Sequence, residues 1–548
     1  MPVIDIEMDD LYALLGREVG PQGIMDAVSQ IGAEIEAVQG NLLHVMFSPN
    51  RPDLYSVEGI ARALRGFLGI ETGAPLLSSS SSHIEVMVEP SVPDVRPYIV
   101  CGVVKGVEMS DALIRSLMSL QEKLHLTLGR RRKKVAIGVH DMAGLKPPFT
   151  YKGVEPQEVR FIPLGMTEEM NLAEVLQRHE KGREFAFTLE RAPRYPIILD
   201  ALQQVLSFPP IINGTVTEVT EDTRDIFLDV TGTEMRAMDA ALNVITYVLA
   251  DRGGTVETVG IAYPERRIVR PDPSPTRMEL DTRWALGLIG TTATMVEAQT
   301  ALQRMRLGAE PKGERLEVLL PPYRSDILHP VDIVEDLAIG LGYAHLPSIL
   351  PRENTIGSVR GIERCSEKAA QALVGYGYLE VTTLTLTREE EQAAAHGYRP
   401  SEVTRILNPI VEEHDCLRIS LLPGLLQVLR GNKHRHLPQR VFEVGDVLRR
   451  YVNRRYCAGI SIHPEANFTE GRSLVLGLMR DLGHQDVEFE RGSAAIFMQG
   501  RCAVVSVAEH KIGVCGEIAP DVLTSHELVN PAMGFEIDIM RLQGLDGS

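Results

Sequence analysis

The chain has 548 residues, a formal net charge of −18, 44% hydrophobic residues and 24% charged residues. That length exceeds one core and predicts roughly three to five domains of ordinary globular composition. The acidic balance excludes wholesale wrapping of nucleic acid but leaves room for a local basic patch, and no run approaches the ~20 apolar residues of a membrane span.

The six cysteines (Cys101, Cys365, Cys416, Cys457, Cys502, Cys515) are scattered. No C-x-x-C pair exists, so a zinc ribbon or thioredoxin-type site is not expected, and the thiols read as buried and reduced. The acidic start, Met-Pro-Val-Ile-Asp-Ile-Glu-Met-Asp-Asp, lacks a cationic leader followed by an apolar run, so no secretory signal is expected and a cytoplasmic location is.

In chain order, Pro21 to Ile35 predicts a helix with Ile24, Val28 and Ile31 on one face, and Asn41 to Phe47 a strand. Ser48-Pro49-Asn50-Arg51-Pro52-Asp53 predicts a turn, and Ser56 to Leu68 a second helix. The serines at 78 to 82 predict an exposed linker. From Ile84 to about Arg270, β runs (Tyr98 to Val104, Val135 to Val139, Ile226 to Val230) alternate with helices at Asp111 to Leu126 and Met238 to Asp251. Pro271-Asp272-Pro273-Ser274-Pro275 predicts a stiff boundary. A small block from Thr276 to Pro347 carries helices at Asp281 to Ile289 and Thr294 to Arg304 and a strand at Leu316 to Leu320. From Pro351 onward, a helix is expected at Gly361 to Gly375. Strands are expected at Leu379 to Leu386, Gln439 to Val447, Ala503 to Val507 and Gly534 to Ile539, the last alternating Phe535, Ile537 and Ile539 with Glu536 and Asp538. No internal repeat is visible.

One segment, Ser325 to Asp336, concentrates acids: Asp326, Asp332, Glu335 and Asp336. At about 100° per residue the last three share one helix face, opposite Ile333, Val334, Leu337 and Leu341, and Pro330 suits the first turn. Crowded carboxylates invite a hard cation such as magnesium; a solvated acidic face is the alternative.

Five strings, in order along the chain, together resemble one family. They are Phe47 to Leu54 with Gly59 to Leu64; Val135-Ala136-Ile137-Gly138-Val139-His140-Asp141; Ser207-Phe208-Pro209-Pro210-Ile211-Ile212-Asn213-Gly214; the acidic segment extended to Tyr343; and Asn408 through Leu426 with Phe442-Glu443-Val444-Gly445-Asp446-Val447. The family is the β subunit of phenylalanyl-tRNA synthetase, archaeal and eukaryotic-cytosolic type, and the resemblance spans essentially the whole chain.

The resemblance implies an α+β multidomain chain. A mixed α/β N-terminal domain with the serine linker would occupy 1–85, and a B3/B4-like tRNA-editing module 86–270. A small helix-turn-helix-like B5 domain would follow at 271–347, and a class II synthetase-like antiparallel core without active-site motifs at 348–548. It further implies a partner α subunit carrying the aminoacylation site in an (αβ)₂ assembly, tRNA(Phe) as a second partner, and ATP as a substrate of the complex. The complex would charge tRNA with phenylalanine, and this chain would edit mischarged tyrosyl-tRNA. Magnesium, shared with the α subunit, would sit at Asp326, Asp332, Glu335 and Asp336. The editing pocket would draw on Ser207, Asn213, Asp229, Thr231 and Thr233, each of which has a turn or cap role as its alternative. A stand-alone editing hydrolase and a scaffold with a dead pocket are the competing readings.

The residue chemistry bears on this plan. An active class II core places Arg and Glu two apart on a strand, so both enter the pocket. Here Arg440-Val441-Phe442-Glu443 sets them three apart, on opposite faces, and Pro531 to Asp538 lacks the ATP-clamping arginine. Editing has a physical motive: an apolar pocket rejects a hydroxylated analogue only on the order of 10²-fold. No Ser-His-Asp arrangement is legible, so a positioned water is expected, with His140 a possible contributor or a structural residue. Ala201 stands where a small polar residue is expected at the rim. Arg130-Arg131-Arg132-Lys133-Lys134 and Asn432-Lys433-His434-Arg435-His436 read as tRNA phosphate contacts or as solvated loops.

Overall fold

The computed structural model describes residues 2–190, 192–346, 348–350, 355–394 and 402–545. The chain forms two compact units, 1–350 and 351–548. Pro347 and Pro351, which bound the expected third and fourth blocks, lie outside the described residues. Among the described residues no helix is long and apolar enough to cross a membrane, and all six cysteines are buried.

The first unit begins with a three-stranded antiparallel sheet, ordered Val3–Glu7, Leu42–Phe47, Ala33–Gln39. The helix expected to reach Ile35 stops at Gln30, because Gly32 adopts φ 96° and turns the chain into the strand Ala33–Gln39. Helix Val57–Phe67 starts at Ser56, whose Oγ accepts the Gly59 N–H at 3.2 Å. Its Ile60, Ala61 and Leu64 are fully buried. A Cβ on Gly59 would lie 1.8 Å from the Asp53 carbonyl oxygen. Only glycine therefore lets this helix pack on the Pro49–Asp53 turn, where Arg51 and Asp53 form a 2.8 Å ion pair.

A ten-stranded sheet follows. From one edge its order is Ile212–Asn213, Val205–Phe208, Tyr195–Leu199, Phe149–Val154, Ser79–Val88, Thr255–Ala262, Tyr98–Lys105, Ile226–Gly232 and Val135–Asp141, with Arg267–Arg270 paired onto Thr255–Ala262. The serine run is thus not a linker. It is exposed, yet it pairs in parallel with Val256 to Thr258, and Ser82 Oγ donates to the Thr258 carbonyl at 2.7 Å. Its backbone is satisfied by a strand about 180 residues away, which composition does not reveal. Helices Asp111–Leu126 and Met235–Asp251 cover the sheet, and the latter buries Met238, Ala241, Leu242, Ile245, Val248 and Leu249.

The third block is a sheet ordered Thr276–Asp281, Arg315–Leu320, Gly308–Lys312 with helices Thr282–Ile289, Met295–Arg304 and Pro330–Leu341. Packing across the expected boundaries at 85 and 270 is continuous: one core runs from Ile4 to Leu337. Polar clamps add to it. Arg252 binds Asp10 and the fully buried Glu58, Arg62 binds Asp251 at 3.0 Å, and Arg306 binds Glu71 at 2.8 Å.

The second unit is a seven-stranded sheet ordered Leu379–Glu380, Gln439–Arg449, Val452–Ile462, Ala532–Asp538, His510–Ile518, Phe497–Val507, Val487–Arg491. It is antiparallel except at its first pair. Alternation along the strands divides two cores. Phe442, Cys457, Phe535 and Ile537 pack with helices Gly361–Gly375 and Phe468–Asp481, while Val441, Ala458 and Ile460 pack with Leu422–Gly431. The expected strand Leu379 to Leu386 is two short pieces, Leu379–Glu380 and Leu386–Thr387, in different sheets. The chain leaves the first sheet so that the Thr383 hydroxyl and N–H bind Glu443. Ile539 begins the last helix rather than ending a strand.

Candidate functional site

A cavity of about 240 Å³ lies where the two edge strands of the ten-stranded sheet, Ile212–Asn213 and Val135–Asp141, approach each other. Asp229 and Thr231 line it from Ile226–Gly232, a strand flanked on both sides and buried at all seven positions. Two residues apart on a strand, they share a face, and polar groups buried this deeply require partners. Thr231 receives Arg96: Nε donates to Oγ1 at 2.9 Å and Nη2 to the carbonyl at 2.6 Å. Ser207 and Asn213, paired across adjacent strands, form a second wall. Ser207 Oγ donates to Asn213 Oδ1 at 3.3 Å, and Asn213 Nδ2 to the Val139 carbonyl at 3.2 Å.

Four of the five expected pocket residues therefore converge. Thr233 does not line the cavity: the strand ends at Gly232, and Thr233 is exposed, with its N–H on the Lys134 carbonyl. Ala201 is likewise exposed in a turn, which Asp200 organises by accepting the N–H groups of Leu202 and Gln204.

Behind the polar wall lies His140, fully buried. Its Nε2 is 2.6 Å from Asp229 Oδ2 and its Nδ1 is 2.9 Å from Thr217 Oγ1. Asp229 and Thr217 both line the cavity, so His140 connects two of its walls. Gly138, opposite Asp229 on the neighbouring strand, makes room for this contact. A Cβ there would fall 2.0 Å from Asp229 Oδ2 and 2.5 Å from His140 Nε2. Sequence reading missed Thr217, Arg96 and Gly138. Only Gly138 carried a signal, as a lone glycine inside an apolar strand run, which marks a close approach.

An Arg132–Glu122 ion pair also lines the cavity. Arg132, nearly buried, donates from Nη1 to the Ile211 carbonyl at 2.9 Å and from Nη2 to Glu122 at 2.6 Å, and lies 4.1 Å from the Phe185 ring centre. Burial opposes ionisation of Glu122, but hydrogen bonds from His125 and Arg132 and the Arg132 charge outweigh it, and its carboxyl falls to about 2. Burial lowers His125 to about 4, and its Nε2 accepts the Ile137 N–H at 2.9 Å. Burial also brings Arg96 down to about 10.

The acidic segment is arranged differently from a four-carboxylate cage. Arg324 donates to both Asp326 oxygens, at 3.0 and 2.7 Å, and to Asp336 at 2.6 Å. Burial depresses the Arg324 guanidinium, but Asp336 and Asp326 raise it well above its ordinary value, so it stays charged. Asp332 caps its helix by accepting the Leu328 and His329 N–H groups, and Glu335 is exposed. Among the described residues no three metal-ligating side chains come together.

In the second unit, Glu443 is buried and bound by Arg418 at 2.7 Å and by Thr383 at 2.6 Å. Glu536 accepts from Ser420 at 2.7 Å and from Arg449 at 3.1 Å.

One unit holds a mostly antiparallel seven-stranded sheet and the other a cavity into which buried polar side chains point, and comparison with known proteins places this multidomain chain in the tRNA synthetase class. The tRNA synthetase B5 domain family matches residues 278–343, and the phenylalanyl tRNA synthetase beta chain CLM domain family matches 346–539. The phenylalanine–tRNA ligase beta subunit of Archaeoglobus fulgidus is 42% identical over 98% of both chains. That of Methanothrix thermoacetophila is 42% identical over 98% of this chain and all of its own. An N-terminal fragment of the phenylalanyl-tRNA synthetase beta subunit of Pyrococcus horikoshii superposes with a TM-score of 0.61 at 38% identity, covering 62% of this chain and all of the fragment. The chain belongs to the phenylalanine–tRNA ligase β-subunit family.

Proposed function

We propose that this chain clears tyrosine from mischarged tRNA within a phenylalanine–tRNA ligase, whose α subunit performs ATP-dependent charging. The observation that carries the reading is the cavity in which Ser207, Asn213, Asp229 and Thr231 meet, with Asp229 at 1% exposure. A buried carboxylate accepts a phenol hydroxyl. A phenylalanyl ring would offer no donor to the carboxylate oxygen that His140 does not engage, and a site built this way discriminates on the order of 10⁴-fold. The scissile bond is the ester to the tRNA terminal ribose. A water held by the polar walls adds to the ester carbonyl, the ribose oxygen leaves with a proton, and free tyrosine departs. In the second unit, Glu443 and Glu536 are engaged by this chain's own Arg418 and Arg449, which supports placing the charging site on the partner.

For magnesium at Asp326, Asp332, Glu335 and Asp336, the donor chemistry suits a hard cation, but the arrangement does not fit one in this chain alone. Arg324 already occupies Asp326 and Asp336. We propose a site completed only by the α subunit, in an (αβ)₂ assembly.

The test is hydrolysis of tyrosyl-tRNA by the intact complex. Release of tyrosine with phenylalanyl-tRNA spared supports the reading; equal stability of both esters rejects it in favour of a scaffold with a dead pocket.

A further inference from the structure

The basic run Arg130 to Lys134 is not a uniform solvated loop. Arg130, Arg131 and Arg132 have φ of 47°, 55° and 63°, three consecutive non-glycine residues in the left-handed region. L-residues visit that region singly, and a strained run persists only where its surroundings over-determine it. Here they do. The Arg132 N–H binds the His125 carbonyl at 3.2 Å and the Lys134 N–H the Gly129 carbonyl at 2.9 Å. A Cβ on Gly129 would lie 2.5 Å from the Val135 carbonyl oxygen.

The consequence is a division of the cations. Arg132 turns inward onto Glu122 and the cavity wall, and Lys134 pairs with Glu234. Arg130, Arg131 and Lys133 are exposed and make no ion pair among the described residues, in a chain of net charge −18. Arg131 and Lys133 lie 5.2 and 5.3 Å from the ring centre of Phe187. Two residues earlier, Phe185 carries Arg132 and Lys181, and both of these line the cavity. A strip of cations on aromatic rings therefore leads to the pocket. Unpaired cations suit phosphodiesters, and a guanidinium beside an aromatic ring suits a base; together these are the means by which single strands are bound.

We propose that the Arg130–Lys133 turn is a docking platform for a single-stranded RNA 3′ end whose terminal residue enters the cavity, with phosphates on Arg130 and Lys133 and a base on Arg131. The identity of that residue rests on the hydrolytic reading above; the platform does not.

The test uses the full chain and two 5′-labelled probes, a single-stranded RNA 12-mer ending in CCA and the same sequence as a duplex, read by anisotropy across roughly 50 to 200 mM salt. The double variant Arg130→Gly/Arg131→Gly suits the left-handed backbone, so it removes the side chains without disturbing the turn; Lys133→Ala is the second variant. The expected result is preference of the native chain for the single strand, at least tenfold weaker binding in the double variant, and a salt slope lower by about 0.7 per lost phosphate contact. Unchanged affinity and slope, or no preference over duplex, would overturn the platform. Tyrosyl-tRNA hydrolysis separates the two readings. If the native chain binds RNA as described but its intact complex spares the ester, the platform stands and the hydrolytic reading falls. If the platform variants lose hydrolysis at saturating enzyme while binding RNA normally, the platform falls.

Discussion

His140 Nε2 lies 2.6 Å from Asp229 Oδ2, and both side chains are sealed from solvent. The contact crosses two adjacent strands and leaves the carboxylate fixed beside the cavity. Asp229→Ala is expected to lower kcat/KM for tyrosyl-tRNA hydrolysis roughly 100-fold, about 2.7 kcal/mol, with phenylalanine charging unchanged. Unchanged hydrolysis in a steady-state deacylation assay would remove Asp229 from the site.

Gly138 is the hole that this contact needs. Gly138→Ala puts a methyl group 2.0 Å from Asp229 Oδ2, and overpacking of this kind costs about 1–3 kcal/mol. The expected outcome is loss of hydrolysis and a lower Tm, while Gly144→Ala, where a Cβ meets nothing within 4 Å, changes neither. Full hydrolysis in Gly138→Ala would show that the wall tolerates displacement.

His125 gives a pH dependence with a defined sign. Its folded value is about 4 against an ordinary 6.5, so the unfolded chain binds more protons between those values and stability falls as pH drops from 6.5 toward 4. Linkage sets the size at about 3 kcal/mol. Thermal unfolding of His125→Gln is expected to show a flatter profile in that window than the native chain; parallel profiles would contradict it.

Arg324 makes Asp336 a structural acid before any metal is considered. Asp336→Asn weakens one of the two acidic contacts of the buried guanidinium while Asp326 still holds it, and a hydrogen bond to a charged group is worth about 1.5–3 kcal/mol. A drop in Tm is expected for the isolated chain, with or without magnesium. Calorimetric titration of magnesium is expected to show binding to the assembly with the α subunit and none to the isolated chain. Stoichiometric binding by the chain alone would sink the shared site.

The candidate pocket residues were legible only through the family resemblance, since residue type alone left a turn or cap role open for each. Ser207, Asn213, Asp229 and Thr231 are polar residues within apolar, glycine-containing runs, and a buried polar side chain must be satisfied somewhere. Thr233 was misplaced because residue type does not show where a strand ends; once the chain leaves the sheet, alternation no longer aims its side chains. Thr217 and Arg96 stand in segments with no periodicity, and they matter only through a histidine and a threonine far away in sequence.

The apolar periodicities, caps and glycines of this chain determined its helices and most of its strands, since those follow from local sterics and burial. Tertiary structure alone decided that the serine run is a strand, that Arg324 stands between two expected metal ligands, and that three neighbouring arginines divide between the interior and the surface. The reason is range: a strand partner, a counter-charge or a left-handed turn is supplied by atoms that are distant along the chain, and no local pattern encodes their arrival.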